Sequence, residues 1–332
     1  MRSARWIGTI MFMAVCGLAA AQPALATCGS AQCFIAARSE DGLLQKGAIG
    51  FNLSFDFVPQ SRRLEGRDQV REVLTPKIDF EGGTIEPDHH REISTRNLLV
   101  RLELAYGVGS RWTLAAALPI VNQRDHEHFD HVGEPEEFFT RQDGASGFGD
   151  VRLGVRHAFL QRPKNRLSGT VFLKAPTGDW RLRDSEGGIN EPTIQPGSGS
   201  WDWIASADYG HDWVAGRHGF FVTLLRRVNA GNDLDYEFGD ETQAGFGVQA
   251  RAGDRVVWMG QINLRRTDRD RFRGETVPAT GSTLVNLTPG VRLESPRGGA
   301  VTLHVAVPIY QDVNEAQLAP GVGVMLGFTH TF

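Results

Sequence analysis

Residues 321–332 read GVGVMLGFTHTF and alternate between apolar side chains and small or polar ones. A period of two predicts a β-strand with one apolar face. The apolar face of this strand continues to the final residue, which is aromatic, so we expect the strand to close a sheet and its apolar face to contact lipid. The residues on its apolar face are Val322, Val324, Leu326, Phe328 and Phe332.

Similar alternation predicts eleven further strands, at about 49–57, 98–106, 112–120, 151–159, 167–175, 201–209, 220–227, 244–250, 256–264, 285–293 and 301–309. The total is even, as in single-chain outer-membrane barrels of bacteria. Short and long connections also alternate. The long ones cover roughly 58–95, 121–147, 177–199, 229–242, 267–283 and 310–320. Both termini then lie on the short-turn, periplasmic side, and the long loops are extracellular.

The strand pattern predicts an all-β fold, a transmembrane antiparallel up-and-down β-barrel of about twelve strands. In lipid every backbone N–H and C=O must be paired, so the first strand must pair with the last. Aromatic residues near strand ends fit the girdles of such barrels; they are Tyr106, Trp112, Trp201, Tyr209 and Trp258. A soluble secreted β-sandwich would also alternate, but it does not explain the loop rhythm or the final aromatic residue.

The N-terminus indicates secretion. Arg2 and Arg5 precede an apolar run that ends in the small-residue cleavage pattern ALA at 24–26, so we expect a signal peptide at 1–26. A periplasmic segment at 27–47 and a barrel at 48–332 follow, in the outer membrane of a Gram-negative bacterium. Cys28 and Cys33 are then left to form a disulfide or to remain two free thiols.

Composition argues against several functions. The formal net charge of −4, from 35 basic and 39 acidic residues, does not point to nucleic acid. No G-x-S-x-G motif occurs, and His157 and His330 lie on apolar rows without a serine neighbour in sequence. We therefore expect no enzymatic activity and no cofactor.

The inward row of the predicted barrel is polar and of mixed charge, so we expect it to line a lumen. A twelve-stranded barrel falls between the filled small barrels and the open porins, and a loop or the N-terminal segment could plug it. The lining residues would be Arg101, Glu103, Arg152, Arg156, Lys174, Asp202, Asp208, Arg265 and Arg292. The third long loop, rich in Gly and Pro, is expected to fold inward.

Two predicted loops are rich in histidine and acid residues. IEPDHHRE contains His89 and His90, and RDHEHFDHVGEPEEFF contains His126, His128 and His131. If the last three histidines converge, they would bind a divalent cation, with Zn²⁺ favoured. The alternative is a solvated acidic loop, or one that binds Ca²⁺ and bridges lipopolysaccharide.

Three segments stand out as motifs: GFGDVRLGVRH at 147–157, FLKAPTGD at 172–179 and PGSGSWDW at 196–203. They resemble the outer-membrane transporter family named after the meta-pathway of phenol degradation. In that family, similar motifs occur in this order at strand–loop corners. The resemblance implies a barrel involved in uptake of hydrophobic or aromatic compounds, and it carries over no ligand-binding residue.

These observations together predict an outer-membrane channel that passes small solutes by passive diffusion. Its partners would be membrane lipid and lipopolysaccharide, a small-molecule solute and, through Phe332, the barrel assembly machinery. The alternative is a structural or surface-interaction barrel whose acidic, histidine-rich loops bind a partner or a divalent metal.

Overall fold

The computed structural model describes residues 43–133, 135, 137–140, 145–184 and 186–332. Its main sheet contains twelve long strands, numbered here in chain order. They are β1 Ile49–Glu65, β2 Thr84–Gly107, β3 Trp112–Asp130, β4 Arg152–Gln161, β5 Asn165–Lys174, β6 Asp202–Val214, β7 His218–Val228, β8 Glu241–Ala252, β9 Val256–Thr267, β10 Ser282–Glu294, β11 Gly299–Val313 and β12 Gly323–Thr331. Each predicted strand corresponds to one of them.

The sheet closes on itself. Each strand pairs antiparallel with its neighbours in sequence, and β12 pairs with β1, where Leu53 lies opposite Phe328 and Phe55 opposite Leu326. This closure pairs the backbone of the first and last strands, as lipid requires. The predicted barrel is confirmed, and the β-sandwich alternative is wrong.

Burial is the inverse of that in a soluble protein. Large apolar side chains stand exposed on the outer face, among them Leu153 at 61% and Trp258 at 57%. Polar residues on the inner face are buried, with Arg152 at 0% and Arg101 at 1% exposed. An apolar exterior around a polar interior is typical of a β-barrel that spans a lipid bilayer. Tyr106, Trp112 and Trp201 are also exposed, as aromatic girdle residues would be.

The first three strands extend well beyond the predicted loop boundaries at 58–95 and 121–147. β1 continues to Glu65, β2 begins at Thr84, and β3 continues to Asp130. The apolar outward row of β3 gives way to Gln123, Asp125 and Glu127, while alternate residues from Asn122 to Asp130 stay buried. Because this outward row is polar, the upper part of the sheet stands outside the lipid.

The extracellular loops build a small folded cap. Short strands Leu74–Asp79, Tyr236–Glu237, Arg271–Phe272 and Glu275–Thr276 contribute to it. An apolar core joins three different loops, and its buried members are Ile78, Tyr236, Phe238, Phe272 and Val277. These loops are therefore held by their own hydrophobic contacts.

One short 3-10 turn, Pro192–Ile194, lies in the long connection between β5 and β6. None of the helices in the described part of the chain has the length and apolar character needed to cross a membrane. The predicted signal peptide and residues 27–42 of the predicted periplasmic segment at 27–47, with Cys28 and Cys33, lie outside the described residues. The signal peptide, the periplasmic segment and the disulfide stay predictions.

Candidate functional site in the barrel interior and its mouth

The residues predicted to line the lumen belong to the inward rows of their strands. Five are almost fully buried, with exposed fractions of 0–3%; they are Arg101, Arg152, Lys174, Asp202 and Arg265. The other four are partly buried, and they are Glu103, Arg156, Asp208 and Arg292. Charged side chains therefore belong to the inner face of these strands.

Charge inside the barrel is paired across neighbouring strands. The Arg101 guanidinium lies 3.1 Å from an Asp56 carboxylate oxygen. Glu241 accepts from Arg265 at 2.9 Å and lies 3.4 Å from the Arg227 guanidinium. Buried charges persist only when they are paired and hydrogen-bonded, so these pairs keep the interior polar without an unbalanced charge.

Lys174 joins the barrel wall to the connection between β5 and β6. Its Nζ lies 2.8 Å from Asp150 Oδ2 and 2.9 Å from Asp202 Oδ2. The Ser198 hydroxyl and backbone N–H each donate to Asp150 at 2.9 Å. The Ser200 hydroxyl donates to Asp202 at 2.9 Å. All five side chains are buried, so this network anchors the connection at both ends.

The three segments that carry the family resemblance meet at this point. The Asp179 N–H donates to the Phe148 carbonyl at 3.1 Å, and the Gly197 N–H donates to the Asp179 carbonyl. A Cβ on Gly178 would lie 2.7 Å from the Phe148 carbonyl oxygen, a distance that backbone atoms do not allow. Glycine is needed here because three backbone segments pack directly together. The motifs thus have a structural role at strand–loop corners.

The connection folds into the extracellular mouth of the barrel, as predicted. The Pro196 carbonyl accepts from Asn122 Nδ2 at 2.5 Å, and the Gln195 carbonyl accepts from Arg124 at 3.2 Å. Glu191 accepts from the Ile78 N–H at 3.1 Å. Burial raises the pKa of Glu191 to about 7. We call residues 182–184 and 186–200 the inward loop, because they bind the inward-facing residues Asn122 and Arg124.

The inner wall also carries two apolar clusters, which the strand pattern did not single out. One joins Phe172, Ile204 and Leu225 on β5, β6 and β7. The other joins Val58, Leu284, Ala306 and Met325 on β1, β10, β11 and β12. β6 and β12 are six strands apart in a ring of twelve, so the clusters lie on opposite walls. Single apolar residues within an otherwise polar inward row were the only sequence signal.

Four of the five histidines lie on strands, so the predicted location of those four in loops is wrong. His89 and His90 belong to β2, His126 and His128 belong to β3, and His131 follows directly. His126 contacts Glu92 at 3.3 Å, and His131 Nε2 lies 3.0 Å from Glu186. The structure brings the ligand atoms of His89, His90 and Asp130 together instead. The metal-binding trio His126, His128 and His131 stays a prediction.

Comparison with known proteins supports the fold. Residues 91–203 match the family model described as "Putative MetA-pathway of phenol degradation". This segment contains all three motifs, so the resemblance is confirmed there. No curated protein matches the sequence significantly.

Among solved structures, the chain is similar to an outer membrane channel from Pseudomonas putida F1. The identity is 14%, the TM-score is 0.56, and the match covers 90% of this chain and 100% of that one. The toluene transporter TodX from P. putida gives 11% identity and a TM-score of 0.44, covering 88% and 91%. TbuX from Ralstonia pickettii, another toluene transporter, has 12% identity and a TM-score of 0.43, and the match covers 88% of this chain and 91% of that one.

The similarity to the P. putida F1 channel is one of fold, and the two looser matches add nothing to it. The chain has the fold of an outer-membrane channel. A closed barrel with an apolar outer band belongs in the outer membrane of a Gram-negative bacterium, which agrees with the predicted location.

Proposed function

We propose that the protein is an outer-membrane channel that passes small hydrophobic or aromatic solutes by passive diffusion. The observation that carries this proposal is the pair of apolar clusters on opposite inner walls of a polar barrel. An apolar solute gains free energy from contact with such surfaces, at roughly 25 cal/mol per Å² of apolar area removed from water. The two clusters supply apolar contacts within an interior that is otherwise polar.

The inward loop sets the width of the mouth. Its backbone carbonyls are bound by Asn122 and Arg124, and its base is bound through Lys174. A solute must therefore pass beside this loop or displace it.

Flux into proteoliposomes tests the proposal. A chain lacking residues 182–195 should conduct more ions in planar bilayers, because the mouth is wider. Leu225→Gln should slow uptake of a small aromatic hydrocarbon and leave uptake of a small sugar unchanged. Absence of aromatic uptake by both the wild-type protein and the loop deletion would refute the channel.

The alternative is a structural or surface-interaction barrel whose extracellular end binds a partner. The cap core around Tyr236 and Phe272 favours it, because the loops are folded rather than open. A deletion strain separates the two functions. Loss of growth on one aromatic compound supports uptake, and loss of envelope integrity with normal uptake supports the alternative.

Its other proposed partners follow from the surface. The apolar outer band would contact lipid, and the acidic residues above it would meet lipopolysaccharide through divalent cations. Phe332, which is 65% exposed, would engage the assembly machinery. The similar solved structures are described as channels or transporters, and we propose no catalytic activity for this chain.

A further inference from the structure

Five histidine rings form a continuous row in the extracellular half of the barrel. The centroid separations between successive rings are 4.6 Å, 4.7 Å, 4.6 Å and 4.7 Å. In order, the rings belong to His131, His89, His90, His128 and His126. Apart from His131, each is at most 9% exposed. A solvated loop does not bury four imidazoles, so this row has a structural or binding role.

Strand register and one local irregularity produce the row. β2 and β3 are antiparallel here, with Glu92 opposite His128 and Arg91 opposite Phe129. Neighbours in a regular strand point to opposite faces, yet His89 and His90 are both buried. Asp88 precedes them with a φ of 54°. The register of β2 against the short strand Leu74–Asp79 is also irregular here, so the backbone around His89 departs from a regular strand.

Asp130 lies at the centre of the group. Its Oδ1 is 2.9 Å from His90 Nε2 and 3.9 Å from His89 Nδ1. Its Oδ2 is 3.0 Å from His128 Nε2 and accepts from the Thr140 hydroxyl at 3.0 Å. The carboxylate is therefore held in place by the side chains that surround it.

The spacing suits a small cation. One ligand atom each from His89, His90 and Asp130 lies within 4.8 Å of the others. Zn–N distances of about 2.0–2.1 Å imply ligand separations of about 3.3 Å in a tetrahedron. The observed 2.9 Å and 3.9 Å separations bracket that value. His89 Nδ1 is buried and makes no hydrogen bond, so it is available as a ligand.

The surroundings are also suitable. A small cavity beside the group is lined by His90, His128, Asp130, Glu186 and Glu191. Lys77 also lines this cavity, and its Nζ is paired with a Glu186 carboxylate oxygen at 3.0 Å. Nitrogen ligands favour Zn²⁺ and its neighbours over Ca²⁺ and Mg²⁺, which prefer oxygen.

We propose that His89, His90, His128 and Asp130 bind one divalent transition-metal ion, with Zn²⁺ the best match. His89, His90 and Asp130 supply three ligands, and His128 supplies the fourth. The ion would tie β2 to β3 at the level where the inward loop closes over the mouth. This site is independent of whether the barrel passes aromatic solutes.

The test uses the full mature chain without a polyhistidine tag, freed of metal and kept in detergent. Calorimetry with Zn²⁺ should give one site per chain, and Co²⁺ should give a visible tetrahedral absorption band. His90→Ala should weaken Zn²⁺ binding by at least about 100-fold. His218→Ala, a histidine at the opposite end of the barrel, is the matched control and should bind as the wild type does.

Further variants distinguish this site from the predicted trio. His126→Ala and His131→Ala should retain binding, and its loss in both would favour the trio over the proposed ligands. Equal binding by wild type and His90→Ala, or equal affinity for Mg²⁺ and Zn²⁺, would overturn the proposal. If His90→Ala loses the compact gel mobility of a folded barrel, His90→Gln provides the same comparison.

Discussion

The membrane-spanning part of the barrel and its extracellular part use the same strands in opposite chemical settings. On β3 the outward row is apolar at Leu114 and polar at Asp125. On the inward side, the membrane-spanning part carries paired charges around Lys174, and the extracellular part carries histidines around Asp130. In the extracellular part, large apolar side chains are buried in the core of the cap. The surrounding solvent, lipid or water, therefore decides which side chains each face carries.

The largest expected effect comes from the buried charges. Lys174→Ala would leave Asp150 and Asp202 buried without their cation, at a cost of about 3–5 kcal/mol in the free energy of unfolding. Lys77→Ala breaks the part-exposed pair with Glu186 and should cost less than about 1 kcal/mol. Urea unfolding in lipid vesicles measures both. Equal losses would mean that the two parts do not differ in this way.

The outward row provides the next comparison. Leu153→Arg places a charge on an outer position that is 61% exposed and should cost about 2–4 kcal/mol near the middle of the bilayer. Gln123→Arg adds the same charge to the polar outward row of β3, and the change should stay within about 0.5 kcal/mol. The same unfolding measurement applies. A large loss at Gln123 would place lipid higher on the barrel than we infer.

A smaller effect is expected where the motif segments meet. Gly178→Ala brings a Cβ to 2.7 Å from the Phe148 carbonyl oxygen and should cost about 1–3 kcal/mol. Gly109→Ala, in an open periplasmic turn with nothing within 4 Å, is the control and should be close to neutral. Urea midpoints of the two variants decide this point. If Gly178→Ala leaves the stability unchanged, the backbone where the three motif segments meet can shift at little cost.

The smallest expected effect is the pH dependence of the cap. Burial raises the pKa of Asp270, whose carboxylate accepts from the Tyr236 hydroxyl at 2.6 Å and the Gly239 N–H at 2.7 Å. The folded cap then binds the proton more tightly than the unfolded loop does. Its stability should fall as pH rises from the ordinary Asp pKa to the raised value.

Hydrogen exchange of the cap amides across this pH range measures the effect. Asp270→Asn should flatten the dependence, since the residue no longer titrates. A cap that becomes more protected as pH rises would contradict the raised pKa.

The sequence predicted the twelve spanning strands because the outward positions, which are every second residue of a strand, are apolar where they meet lipid. Above the lipid that requirement ends. His126, His128 and Asp130 alternate there with Asp125, Glu127 and Phe129, so a strand with two largely polar faces was taken for a loop. The grouping of His89 with Asp130 depends on the register of β2 against β3 and on the left-handed Asp88. Neither can be read from one sequence.

The inward loop was predicted from its Gly and Pro content, but its anchors were not. Asp150, Lys174 and Asp202 are separated by 24 and 28 positions along the chain, and the pairing of β4, β5 and β6 brings them together. The apolar clusters were missed for a similar reason. Each strand contributes one member, and their contact across strands appears only in the folded sheet.

The most direct test of this account is spin-label accessibility along β3, with one cysteine at a time from Thr113 to Phe129. Oxygen in the lipid should reach labels at Leu114, Ala116 and Leu118, and a water-soluble nickel complex should reach those at Gln123, Asp125 and Glu127. The intervening inward positions should be protected from both. A single pattern along the whole strand, or water access at Leu114, would contradict the two-part barrel described above.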